Sequence, residues 1–233
     1  MAEHHHHKEE HFEQSDIIKD VVIGMADGLT VPFALAAGLS GVVDSNAIII
    51  TAGIAEICAG SIAMGLGGYL AGRTEIEHYN SELKREYDEI ITHYETEKRE
   101  VREIFAEYGL SPESQNLIVD EMAKNEDKWV EFMMRYELGL EKPDEKRATK
   151  SALNIGISYI IGGIIPLSGY IFSSNPLHGL VYSSIITVIC LFVFGYFKSK
   201  LTGQKPFSGA LKTTLIGVIA AGAAFTIAKL FGN

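Results

Sequence analysis

Hydrophobic residues fall in five long runs, roughly 21–43, 47–71, 152–172, 177–197 and 207–230, and a block dense in charge, from about Arg73 to Lys150, separates the second from the third. A hydrocarbon core of about 30 Å takes about 20 helical residues to cross, and each run is that long. Backbone groups inside lipid must pair within their own segment, so the runs predict transmembrane helices. No stretch alternates with the period of a strand, and no repeat recurs at solenoid spacing. The pattern predicts an all-α membrane protein: five transmembrane helices with a three-helix cytosolic insert between spans two and three. The expected divisions are an N-terminal tail at 1–16, spans one and two within 17–72, a charged helical domain at 73–148 and spans three to five within 149–233.

Punctuation inside the insert predicts where its helices stop. The first continues out of span two to about Tyr108, where Gly109 ends it. Ser111-Pro112-Glu113 then supplies a cap residue followed by proline at the first helical position. A third helix is expected from about Asn125 to Leu138, closed by Gly139 and Pro143.

The short gaps near Val43 to Asn46 and near Ser173 to Pro176 carry no Lys or Arg, whereas Lys8, Lys19, Arg73, Lys146, Arg147, Lys150, Lys198, Lys200 and Lys205 flank the other ends of the spans. The positive-inside rule then puts the N-terminus and the insert in the cytosol and the C-terminus on the far side. Residues 1 to 20 lack the apolar core of a secretory signal, so the first span is expected to stay in the chain.

Composition narrows the partners. The mean hydropathy of +0.12 averages an apolar majority with the charged block. A formal charge of -10 argues against a nucleic-acid partner. Cys58 and Cys190 both sit inside apolar runs, where neither a disulfide framework nor a zinc knuckle forms. The His4 to His7 tract reads either as a metal-binding run or as a tag remnant.

Two acids lie deep in apolar runs: Asp27 in span one and Glu56 in span two. An aspartate at a helix centre costs about 2.5–3.5 kcal/mol on insertion scales, so such groups mark polar pathways. Pro32, five residues after Asp27, leaves the Gly28 carbonyl without its helical donor. The plainer reading is a kink with a neutral Asp27 bonded to a neighbouring helix. In span two, Gly53, Gly60 and Gly67 recur at heptad spacing as a close-packing stripe. Met64 follows Glu56 by eight residues, about 80° round the helix and about 12 Å along it. A lone Met is ordinarily filler; beside carboxylates, its thioether suits a borderline transition-metal ion rather than Mg²⁺ or Ca²⁺.

On the first insert helix Glu86, Glu89, Glu97 and Glu100 form two E-x-x-E pairs offset by eleven residues, with His93 between them. Eleven residues return to within about 20° of one direction, so all four line one face. A solvated, salt-bridged helix is the ordinary meaning of such charge. Against it, the neighbours of Glu86, Glu97 and Glu100 at three and four residues include no Lys or Arg, and only Glu89 has one, Arg85. A bound divalent ion would neutralise the repulsion. Met133, Met134 and Glu137 offer a second mixed sulfur and oxygen set, whose plainer role is core packing.

The segments DGLTVPFALAAGLSG at 27–41 and EICAGSIAMGLGGYLAGRTE at 56–75 resemble the first two spans of the vacuolar iron transporter family, of plant type, and the resemblance extends over nearly the whole chain. It implies a homodimer in the vacuolar membrane whose two first spans line a central path, carrying Fe²⁺ from cytosol to vacuole in exchange for protons. The family's membrane Asp, Glu and Met match Asp27, Glu56 and Met64. Its cytosolic metal-gathering residues match Glu86, Glu89, Glu97, Glu100, Met133, Met134 and Glu137. The implied partners are metal ions, protons and the bilayer, with Fe²⁺ as substrate and no prosthetic group. The donor types also suit Mn²⁺, Co²⁺ and Zn²⁺.

Two other readings stay open on the residues alone. A membrane-attached di-iron oxidase needs two E-x-x-H motifs, and the insert has one, Glu75 to His78. A passive divalent-cation channel would need the same acids without proton coupling.

Overall fold

A computed structural model describes residues 11–232, with side chains from residue 16; the His4 to His7 tract lies outside them. The elements are α1 (His11–Ser40), α2 (Asn46–Thr92), α3 (Tyr94–Glu107), α4 (Pro112–Met122), α5 (Glu126–Tyr136), α6 (Arg147–Ile171), α7 (Pro176–Leu201) and α8 (Pro206–Phe231). No strand occurs among the described residues. Five helices, α1, α2, α6, α7 and α8, are long and apolar enough to cross a membrane. The chain divides into two compact units, one up to Tyr69 and from Thr149 onward, the other Leu70–Ala148.

In the first unit, large apolar side chains such as Ile62, Ile164, Leu211 and Ile219 point outward and are more than half exposed. So broad an apolar exterior suits lipid rather than water. The contacts between helices are made by small residues, which lets backbones approach closely. A Cβ at Gly24 would strike the Ile155 carbonyl, one at Gly28 the Tyr159 carbonyl, and one at Gly162 would lie 3.0 Å from Gly28 and Leu29 backbone atoms. This seam brings α1 and α6 together.

The heptad stripe expected on α2 is not the packed face. Gly53 meets Leu167 and Gly60 meets the Tyr159 ring, but Gly67 has nothing within 4 Å. The buried row runs Gly53, Ile57, Ser61, Gly65 and Gly68, mostly in steps of four. A seven-residue repeat drifts one way round a straight helix and a four-residue row the other, so Gly67 falls off the seam and Gly65 and Gly68 replace it.

The second unit packs around Ile90, Val101, Val119, Trp129, Val130, Met133 and Met134. Its caps follow the sequence signals. Ser111 accepts from the Ser114 N–H at 3.4 Å with Pro112 at the first turn of α4, and Asn125 accepts from the Lys128 N–H at 3.1 Å to start α5. Gly109 and Gly139 take positive φ where α3 and α5 end, a conformation that costs other residues more.

A second expectation fails. The helix predicted to run unbroken to Tyr108 ends at Thr92, and the chain turns at His93 (φ -123°, ψ 29°) before α3 begins. In a continuous helix Ile90 and Val101 would stand about 16 Å apart along the axis. The turn lets both enter one apolar core, and that burial overrides the helical propensity of the segment.

Gly28→Ala should lower the melting temperature of the purified full chain in detergent, an overpacking cost of about 1–3 kcal/mol. Gly67→Ala, facing open space, should change it by less than about 0.5 kcal/mol; equal effects would contradict the seam assignment.

Candidate metal-binding sites

The membrane unit holds its acids on two helices. Asp27 is half-buried on α1 and Glu56 is half-buried on α2. The Tyr159 hydroxyl of α6 donates to Glu56 Oε1 through a short hydrogen bond, while Glu56 Oε2 is buried and has no partner. Gly60, one turn after Glu56, makes room for the Tyr159 ring. A half-satisfied carboxylate of this kind is an uncommon feature in a protein interior and has capacity for a cation or a proton.

Prolines add acceptors nearby. Pro32 lies inside α1 and Pro166 inside α6. Each removes the helical donor of the carbonyl four residues earlier, namely Gly28 and Gly162, and these two glycines pack against each other. Oxygen dipoles without helical donors thus gather on the α1–α6 seam one residue from Asp27. Met64 is half-buried on α2.

Tyr159 and Pro166 were not singled out from the sequence. A phenol hydroxyl within an apolar run needs a partner, and that is the signal which points to Tyr159. Asp20, also not singled out, is 2 % exposed and accepts from Ser151 Oγ at 2.9 Å and Asn154 Nδ2 at 3.5 Å. It lies one residue before the apolar run expected to begin near 21, so it does not stand out as an acid inside that run.

In the charged unit the turn at His93 converts the glutamate stripe into a cluster. Glu86, Glu97 and Glu137 each bring a carboxylate oxygen within 4.8 Å of the others. Glu86 is 1 % exposed, Glu97 4 %, and the Oε2 atom of each lacks a hydrogen-bond partner. Glu89 and Glu100 are half-buried around them, and Glu89 pairs with Arg85 at 3.4 Å. The four glutamates therefore do not line one face of a single helix as expected: Glu86 and Glu97 meet from separate helices. Met133 and Met134 are buried in the apolar core of this unit.

At about 1.5 Å per residue, the 47 residues of α2 measure about 70 Å, more than twice a hydrocarbon core, so Glu86 lies beyond the spanning part. Burial, followed by repulsion from Glu137 and Glu89, raises the Glu86 carboxyl to about 7. Burial, then Glu100 and Glu86, does the same for Glu97, also to about 7. Glu137, although exposed overall, is raised by desolvation at its carboxyl and by Glu100 and Glu89. Protons and a divalent cation would compete for these oxygens.

Folded, Glu86 and Glu97 keep their protons up to about 7, against 4.5 for an ordinary glutamate. Across that window the folded state binds more protons, so the cluster's contribution to stability falls as pH rises. Calorimetry on the full chain in detergent should show Mn²⁺ or Co²⁺ affinity strengthening from pH 6 to pH 8, with Glu97→Gln weakening it about tenfold or more at pH 8. Affinity indifferent to both would contradict a shared site.

A family model described as the VIT family matches residues 18–229. Vacuolar iron transporter 1 of Oryza sativa subsp. japonica is 50% identical over 226 residues, covering 97% of this chain and 90% of the relative. Vacuolar iron transporter 1 of Arabidopsis thaliana is 52% identical over 225 residues, with 97% and 90% covered. Protein CCC1 of Saccharomyces cerevisiae (strain ATCC 204508 / S288c) is 39% identical over 224 residues, with 93% and 69% covered. With a matching family model and identities of this size over almost its whole length, the chain belongs to the VIT family, the vacuolar iron transporters.

Proposed function

We propose that this protein carries Fe²⁺ across the vacuolar membrane from cytosol to lumen in exchange for protons, as a homodimer with its N-terminus and charged unit cytosolic and its C-terminus lumenal. The observation that carries the reading is Glu56: an acid in an apolar helix, held at one oxygen by Tyr159 and unpartnered at the other. A carboxylate kept at that cost inside a span, among relatives named as iron transporters, has a ready role as a cation ligand.

The residues divide the work by chemistry. Asp27, Glu56 and Met64 form the transport path, with Tyr159 orienting Glu56. Glu86, Glu97 and Glu137, with Glu89, Glu100, Met133 and Met134 around them, capture the ion from the cytosol. A carboxyl in a dry surrounding favours a proton when empty and ionises when Fe²⁺ binds. Each cycle therefore exchanges metal for protons, and an acidic lumen drives release there. Mn²⁺, Co²⁺ and Zn²⁺ suit the same donors.

Proteoliposomes with an acidic lumen should take up Fe²⁺ under reducing conditions, and uptake should stop when the proton gradient is collapsed. Asp27→Asn and Glu56→Gln should each reduce the rate at least about a hundredfold, while Tyr159→Phe, which removes one hydrogen bond to a charged group, should reduce it about tenfold. Uptake that persists without the gradient would make the protein a passive channel, and unchanged uptake in both acid variants would remove these residues from the path.

A further inference from the structure

Helices α1, α7 and α8 flank a half-open cavity of about 800 Å³ that none of the proposed transport chemistry uses. Lys19, Lys198, Lys205 and Lys212 line it, and among the described residues no acidic side chain does. Lys19 pairs with Asp16 at 3.3 Å, but Lys198, Lys205 and Lys212 have no ion pair among the described residues. Three unneutralised ammonium groups round one hollow repel each other, and an anion in the hollow would relieve that repulsion.

The start of α8 points to the same ligand. This 26-residue helix begins at Pro206, with Lys205 at the cap position and no side chain capping its first amides. Its N-terminal N–H groups and dipole favour a negative group, and Ser208 in that first turn lines the cavity. Gln204 adds an amide at the same rim.

Apolar residues share the cavity: Ile18, Val22 and Ile216 line it together with the lysines. A free inorganic anion has no use for such a wall, whereas a lipid brings acyl chains to it. We infer that this cavity is a binding site for an anionic phospholipid with a phosphorylated headgroup, of the phosphoinositide class. Three free cations and a helix N-terminus exceed the single net charge of phosphatidylserine and match a phosphate monoester of about -1.5 to -2. Basic pockets between spanning helices hold such headgroups on the cytosolic side. The orientation proposed above decides only which leaflet supplies the lipid; binding in detergent does not depend on it.

Native mass spectrometry of the full chain in detergent tests this, with phosphatidylinositol 4-phosphate, phosphatidylserine and phosphatidylcholine titrated in turn. The phosphoinositide should bind at least about tenfold more tightly than phosphatidylserine, and the triple variant K198Q/K205Q/K212Q should lose at least about tenfold in that affinity. Lys200→Gln, on the same helix end but outside the cavity lining, should bind like the parent. The charge-preserving K198R/K205R/K212R should retain binding, and if the triple glutamine variant does not fold, Lys212→Gln alone should still weaken it measurably. Equal binding of the two anionic lipids, or undiminished binding in a folded triple variant, would overturn the site. Soluble inositol trisphosphate binding as tightly as the lipid would also overturn it, by assigning the cavity to a free phosphate ligand.

Discussion

Taking water away from a carboxylate is the act on which both units of this protein turn. Glu56, Glu86 and Glu97 each keep a buried oxygen without a hydrogen-bond partner, although proteins seldom leave such atoms unpaired. Each is held by packing that has another purpose. Gly60 admits the Tyr159 ring that orients Glu56, and the core around Ile90 and Val101 draws Glu86 and Glu97 together. The stability of the surrounding helices offsets the cost of the orphan oxygens.

Much of this was legible in the chain. Five apolar runs announced five spans, and Ser111, Asn125, Gly109 and Gly139 marked helix ends where the structure has them. Asp27 and Glu56 stood out because acids inside apolar runs are rare. The turn at His93 was not legible, since neither proline nor glycine marks it; a tertiary core decided it. That single miss hid the most informative geometry of the charged unit, because a straight helix would hold Glu86 and Glu97 apart. The Gly67 error has a similar origin: heptad spacing is a statement about sequence, while the α2–α6 seam steps by four residues. Tyr159 escaped notice because its ring reads as one more apolar residue until its hydroxyl finds Glu56.

The electrostatics of the chain are divided by sign. Glu86 and Glu97 are buried and close to Glu137, whereas the cations of α1, α7 and α8 flank a cavity that no acid lines among the described residues. Lysines beside such acids would compete with a bound cation and drive carboxyl pKa values down. The raised carboxyls of Glu86 and Glu97, near 7, sit where modest changes in pH alter occupancy. If these oxygens hold metal as proposed, proton and metal exchange is a property of the site and needs no separate coupling element.

The unpartnered oxygens are proposed here as metal ligands. Anomalous scattering from crystals of the full chain soaked with Mn²⁺ or Co²⁺ tests this directly. Peaks are expected within ordinary ligand distance, about 2.0–2.6 Å, of Glu56 Oε2 and among Glu86, Glu97 and Glu137. Clear peaks elsewhere with these oxygens left bare would contradict it.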